Sequence, residues 1–442
     1  MIKTIALVVI FGFSGMAAAG YKEAGEALKN LDAPEAQKEL DSLLASPGAA
    51  LARDARAAAL LKENQPAMEL FRQAAEEPGD GYLFAPKPEK HNSKTPLPKF
   101  AIHLKLLKLL LIDAKIQLAH KQPGPAEKDL LAAAGFILQL SAQKSAVMLS
   151  SMVQQLCLHK ASPALSLSLT NPSVSPAYLK EFAARLEKIY KNQDFMKSAL
   201  LDEAEMFKGS MVDGVNPEAM EAENAKLSFL KRLGAKKLQD QEFFSTVYGS
   251  YNAAIDAHTK VLIEAFRAND NAPAVAFIEK REQETKARKQ AYEKVGFFSQ
   301  VMDGLRGGPK VKKIMAEVIV DTTLSSGTPS YEKLIPRYHL YLSELNVYRA
   351  ALALKLFQRA RRRLPDSLDQ LVPAYLEAAP QDPFNKFSPV SYIKAGKKFM
   401  VYSFGPDGRD GEGAAALDYD AYAENPARDA GDMIFSDLPK TQ

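Results

Sequence analysis

Between Gly405 and Gly413 the chain sets Asp407, Asp410 and Glu412 among four glycines. Glycine turns without steric cost, so a loop of this kind can draw carboxylates and backbone carbonyls around one hard cation. Oxygen coordination of a calcium ion is the chemistry the pattern suits. Charge points the same way: from Gly405 to Asp437 nine acidic residues stand against two arginines, and a counterion would relieve that excess. The spacing DGRDGE lacks the ligand register of an EF-hand and encodes no unique coordination polyhedron, which leaves a solvated acidic turn as the competing reading. Two carboxyl groups at a suitable separation also suffice for glycoside cleavage, so hydrolysis by Asp407, Asp410 and Glu412 is a further alternative. The chain has no tryptophan to serve as a sugar platform.

Other residues offer less chemistry. Ser141-Ala142-Gln143-Lys144 fits the SxxK pattern of penicillin-binding enzymes, but neither an SDN nor a KTG element accompanies it. No HExxH, GxSxG or phosphate-loop pattern occurs in the mature chain. The six histidines are scattered rather than grouped for zinc. Cys157 is the single cysteine, which excludes an internal disulfide. A thiol nucleophile needs a base beside it, and His159, two positions along a helix, points to another face. Cys157 is therefore read as a buried apolar side chain. No catalytic residue is assigned, and a non-catalytic role is expected.

The acidic loop needs elements to hold it. Lys398 to Phe404 alternates Phe399, Val401 and Ser403 against Met400, Tyr402 and Phe404, a strand with bulky residues on both faces. Upstream, the apolar residues Leu342, Leu345, Leu352 and Leu356 predict a long helix from about Pro336 to Arg363, ended by Pro365. Arg359, Arg361, Arg362 and Arg363 crowd its last turn. There they either complement the helix dipole or bind an acidic partner or phosphate.

The order of these features carries a resemblance. Pro365, Leu368, Leu371 and Val372 are followed by the turn Asp382-Pro383-Phe384, by Pro389 and Tyr392, and then by Tyr402, Ser403, Gly405, Asp407 and Gly408. This succession resembles the C-terminal half of the major pseudopilin of type II secretion systems, over roughly a sixth of the chain. The resemblance implies a helix, a small antiparallel sheet and a loop that holds structural calcium. It further implies Asp407 and Asp432 as carboxylate ligands and the Phe404 carbonyl as a backbone ligand; Asp410 joins them on chemical grounds. Two departures stand out. Gly12-Phe13 lies inside the apolar leader and no glutamate follows it, so the chain is not expected to polymerise as a pilus subunit. Residues 414–430 are an insertion relative to the family loop, so Asp418, Asp420 or Asp429 could replace Asp432.

The whole chain sets the frame. Its 442 residues, 47% hydrophobic and 25% charged, suit a globular protein of two or more domains. A formal net charge of +4 leaves no nucleic-acid footprint. Lys3, the apolar stretch Ile5 to Phe13 and Ala17 to Ala19 form an export signal with cleavage before Gly20, and no cysteine follows for lipid attachment. The mature chain is expected in the periplasm or outside the cell, with no stable membrane span, and with other envelope or secretion proteins as partners.

Along the chain the expected order is a signal at 1–19, N-terminal helices over 20–77, a Pro/Gly-rich linker at 78–98 and a helical body over 99–330. A long helix and the α+β module follow over 331–442. The segment Ala67 to Pro78 is similar to the second helix of a tetratricopeptide repeat, but occurs once. The expected fold is mainly α, a multi-helix body followed by a small pseudopilin-like α+β module with a short antiparallel sheet. Its expected role is that of a helical scaffold or binding protein; a helical-repeat adaptor in envelope assembly or secretion is the alternative, with the hydrolase third.

Overall fold

The computed structural model describes residues 20–77 apart from 32, 100–143, 148–192, 195–214, 241–293 apart from 269 and 271, 317, 320, and 331–438 apart from 420, 421 and 423–430. The export signal expected at 1–19 and the linker expected at 78–98 lie outside them. The fold is mainly helical, with a small C-terminal region of short antiparallel sheets, as the sequence pattern predicts. The helices are α1 (residues 20–26), α2 (Pro34–Ala45), α3 (Gly48–Leu51), α4 (Ala55–Glu76), α5 (Phe100–Ala119), α6 (Pro123–Ser141), α7 (Met148–Thr170) and α8 (Pro176–Lys191). Then come α9 (Phe195–Gly214), α10 (Gln241–Ala268), α11 (Ala272–Glu293) and α12 (Tyr331–Arg361). No helix among the described residues is long and apolar enough to cross a membrane.

Contacts divide the chain into two compact units, one of Met1–Lys87, Leu97–Met196 and Pro336–Gln442, the other of Pro88–Pro96 and Lys197–Ile335. The units cut across the linear segments expected from sequence, and α5 shows why. Its residues Leu106, Leu107, Leu109, Leu110, Leu111 and Ile112 are all buried, so it needs neighbours on every side. Helices α2, α3, α4, α6 and α7 supply them. In the second unit, Phe244, Val247, Tyr251 and Ile255 of α10 pack with Ala204 and Val320. Burial there, with Arg281 nearby, pushes the His258 imidazole down to about 4.

Local signals place several helix starts in the first unit. Asp54 caps α4 by accepting from the amides of Arg56 at 2.8 Å and Ala57 at 2.9 Å. Ser175 caps α8 through the Tyr178 amide at 3.0 Å, with Pro176 following it in the first turn. The buried lysines of α5 point inward to partners on α2. Lys108 Nζ meets Asp41 at 2.6 Å, and Lys115 Nζ donates to the carbonyls of Leu44 and Ser46, each at 2.6 Å. These carbonyls lie at the C-terminal end of α2, where acceptors lack intrahelical donors and cations are favoured. Burial pulls the Lys115 ammonium below the ordinary lysine range.

Helix α12 organises the other side of this unit. It begins at Tyr331, so Pro336, expected in its first turn, lies inside it. Leu345 and Leu352 are fully buried, and beside them Tyr341, Glu344 and Tyr348 form a polar seam facing α7. Gln154 donates to the Tyr341 hydroxyl at 2.7 Å, Ser162 to Glu344 at 2.6 Å, and Tyr348 to the Ser162 carbonyl at 2.9 Å. Tyr341, Glu344 and Tyr348 share one helix face, which brings their polar atoms into register with α7. Farther along, Arg349 forms a two-pronged pair with Glu187 of α8 at 2.8 and 2.9 Å, and its guanidinium lies 3.6 Å from the Tyr190 ring centre.

The C-terminal module is built on the same helix. A short 3-10 turn, Leu368–Leu371, precedes a two-residue ladder of β1 (Gln381–Asp382) with β2 (Ser388–Pro389). A three-stranded antiparallel sheet of order β3-β4-β5 follows, formed by Ser391–Ala395, Lys398–Ser403 and Met433–Ser436. Every residue of β4 from Phe399 to Ser403 is buried, as its two-sided pattern predicts. The face carrying Phe399, Val401 and Phe435 turns to α12. There Tyr348 meets Phe435 at 6.1 Å between ring centres, and Lys355 pairs with Asp437 at 2.5 Å.

Replacing Lys115 by Met keeps the buried alkyl stem but strands the two carbonyls. Denaturant unfolding of Lys115→Met should show a loss of about 1–3 kcal/mol; an unchanged midpoint would show that the α2 end does not use this donor.

Candidate metal centre

The acidic loop is positioned by Asp382, a residue that sequence marks only as part of a proline turn. Its side chain is fully buried, and three donors converge on it. Oδ1 accepts from the Phe384 amide at 2.9 Å and from Ser403 Oγ at 2.7 Å, while Oδ2 accepts from the Phe404 amide at 2.9 Å. The first bond is the Asx turn that an Asp-Pro dipeptide favours. The other two bind the turn to the last residue of β4 and to the first residue of the loop. Bonds to an ionised acceptor are roughly twice as strong as neutral ones, and here they compensate a desolvated charge.

From this anchor the loop folds by its own carboxylates. Gly405 has φ 72°, and the Gly408 amide returns to its carbonyl at 3.1 Å. Asp407 accepts the Arg409 amide at 3.0 Å, and Asp410 accepts both the Glu412 amide and the Tyr402 hydroxyl at 2.9 Å. Asp432, just before β5, accepts the Gly413 amide at 2.8 Å. A pair of backbone bonds, Asp432 N to Ala415 O and Leu417 N to Asp432 O, each 2.8 Å, runs the returning chain alongside. The ends meet so closely that a Cβ on Gly405 would stand 2.1 Å from the Gly431 carbonyl oxygen. A Cβ on Gly411 would stand 2.6 Å from Asp432 Oδ2.

The expected ligands thus occupy distinct settings. Asp432 is 1% exposed, and burial raises its carboxyl above the usual range. The amides of Gly413 and Gly411 oppose that shift, whereas Asp410 and Asp407 add to it by repulsion. Asp407 and Asp410 are exposed. Burial and the Asp410 bond push the Tyr402 phenol up to about 12. Phe404 lies where strand gives way to loop, with its amide held by Asp382 and its ring 6.4 Å from that of Tyr402. Among the described residues no three His, Cys, Asp or Glu side chains gather as a metal-binding group. Of the substitutes for Asp432, Asp420 and Asp429 lie outside the described residues, and Asp418 is exposed.

Two other clusters hold catalytic residue types. Ser162 and His159 both approach Glu344, but the Ser162 hydroxyl donates to the carboxylate at 2.6 Å rather than to the imidazole, which lies 3.5 Å from the same oxygen. A Ser-His-acid relay needs the hydroxyl on the imidazole. The His159 ring instead stacks on Tyr419 of the loop insertion, 3.8 Å between centres. The second cluster sets Asp129 at 2.7 Å and Asp113 at 3.4 Å from Arg72. Burial pushes Asp129 up to about 7. In the SxxK segment, the buried Ser141 hydroxyl donates to the Leu138 carbonyl at 2.6 Å and accepts from Asn192 at 3.0 Å; Lys144 lies outside the described residues.

No family model matches the chain, and neither a curated protein nor a solved structure is similar to it.

Two outcomes follow from this geometry. Asp382→Ala leaves buried donors stranded, so it should cost the module about 3 kcal/mol, read as lost hydrogen-exchange protection in β3–β5. Asp432 has a raised folded-state carboxyl, so its protonated form favours the fold. In chelator, that stability is fully present below the unfolded value of about 4 and is lost as pH rises through the folded value. Thermal melting of Asp432→Asn should lack this loss; a profile parallel to wild type would assign the pH dependence elsewhere.

Proposed function

We propose that this chain is a non-catalytic, exported envelope protein. In this reading its helical body acts as a scaffold or binding platform for other envelope or secretion proteins, and its C-terminal module is stabilised by a structural calcium ion. The observation that carries the reading is the Asp432 carboxylate, buried beneath a glycine loop while Asp410 and Asp407 act on it by repulsion. Such an arrangement is relieved by a divalent cation taking the carboxylate oxygens that the backbone amides leave over. Asp407, Asp410 and Asp432 would hold the ion, with the Phe404 carbonyl as a neutral donor. Calcium there supplies charge neutralisation and cross-linking, and no reaction step is required of it.

The scaffold part of the reading draws on α12. Its polar seam, the Arg349–Glu187 pair and the sheet above it make helical body and module share one element. A module mounted in this way presents its loop in a fixed orientation to a partner.

Calcium at one hundred times its dissociation constant should stabilise the fold by about 2.7 kcal/mol, an increment that Asp407→Asn and Asp410→Asn reduce. Thermal melting in chelator and in millimolar calcium reads this directly. An identical melting temperature in both removes calcium from the proposal, and the loop then stands on its amide bonds alone.

A further inference from the structure

We propose that the end of the module opposite the acidic loop is a docking surface for an anionic lipid bilayer. The C-terminal turn of α12 and the β3–β4 turn meet there, joined by Gln358 Nε2 donating to the Lys397 carbonyl at 2.6 Å. Arg361, Arg362, Arg363, Lys394, Lys397 and Lys398 are all exposed around that junction. Asp366 answers two of them, Lys394 at 2.7 Å and Arg363 at 4.0 Å. Among the described residues the other four enter no ion pair.

The helix dipole accounts for the arginines at the end of α12 but not for the hairpin lysines. Arg359 already serves the neighbouring backbone, donating to the carbonyls of Val174 at 2.6 Å and Pro172 at 3.4 Å. Lys397 and Lys398 belong to a hairpin and complement no helix end. Arg362 has φ 57° at the position after the helix where glycine is cheapest, so glycine there relieves strain while removing one cation. Exposed cations spread over two elements match a plane of lipid phosphates. A protein partner would instead draw on buried aromatic anchors.

The test is flotation of the full chain, in chelator so that the acidic loop plays no part, with phosphatidylcholine vesicles containing or lacking phosphatidylglycerol. Binding should require phosphatidylglycerol and vanish once salt shortens the Debye length to about 3 Å. Arg362→Gly should keep or raise the melting temperature yet weaken binding about five-fold. Lys397→Gln with Lys398→Gln should weaken it about 25-fold. Equal binding to both vesicles, or variants that bind as wild type does, overturns the proposal. So does sedimentation in which these variants lose self-association while no chain floats with phosphatidylglycerol, because that assigns the surface to an acidic patch on a second copy.

Discussion

A single buried anion holds the C-terminal module together. Asp382 gathers the amide of its own turn, the hydroxyl that ends β4 and the amide that begins the acidic loop. No neutral residue could accept all three in so small a space, and a carboxylate shut away from water persists only when its lone pairs are met in this way. The turn, the strand and the loop therefore form together or not at all. The exposed acids of the loop can repel one another without unravelling it because the backbone is pinned at this point.

The long helix extends that constraint into the rest of the first unit. Leu345 and Leu352 supply burial, but apolar side chains tolerate small rotations of one helix over another. The bonds from Gln154 to Tyr341 and from Ser162 to Glu344 do not. A rotation or slip would leave several buried polar groups unmet at once, so the seam selects one register. The same rigidity reaches the sheet through Tyr348 and Lys355, whose partners Phe435 and Asp437 lie in and just after β5.

Periodicity is enough to read the helices and the two-sided burial of β4, and the Asp-Pro dipeptide marks the turn, because each depends on neighbours within a few residues. The caps at Asp54 and Ser175 follow from the same local chemistry, although only Ser175 is conspicuous beside a proline. What escaped a linear reading was every role set by distant partners. Nothing near Lys108 and Lys115 in the chain shows that α2 places carbonyls and an acid opposite them. The start of α12 at Tyr331 was also hidden, since Pro336 is a strong first-turn signal and nothing upstream outweighs it. In the loop, the acids were legible as a group, but their division was not: Asp432 is buried whereas Asp407 and Asp410 remain in water. The weight of Asp382 could have been suspected from an Asp-Pro dipeptide facing a strand that ends in serine.

Where the loop closes on itself, Gly405 and Gly431 touch backbone to backbone, with no room for a side chain between them. The chain beyond this neck is still tied down, because Asp410 accepts from Tyr402 of β4 and Tyr419 stacks on His159 of α7. Doubling the number of residues in a closed excursion adds only about 0.6 kcal/mol of entropic cost, so added length costs little wherever it falls outside those contacts. Neither glycine at the base has room for a side chain, so a graft must keep that pair and leave the Asp410 and Tyr419 contacts in place.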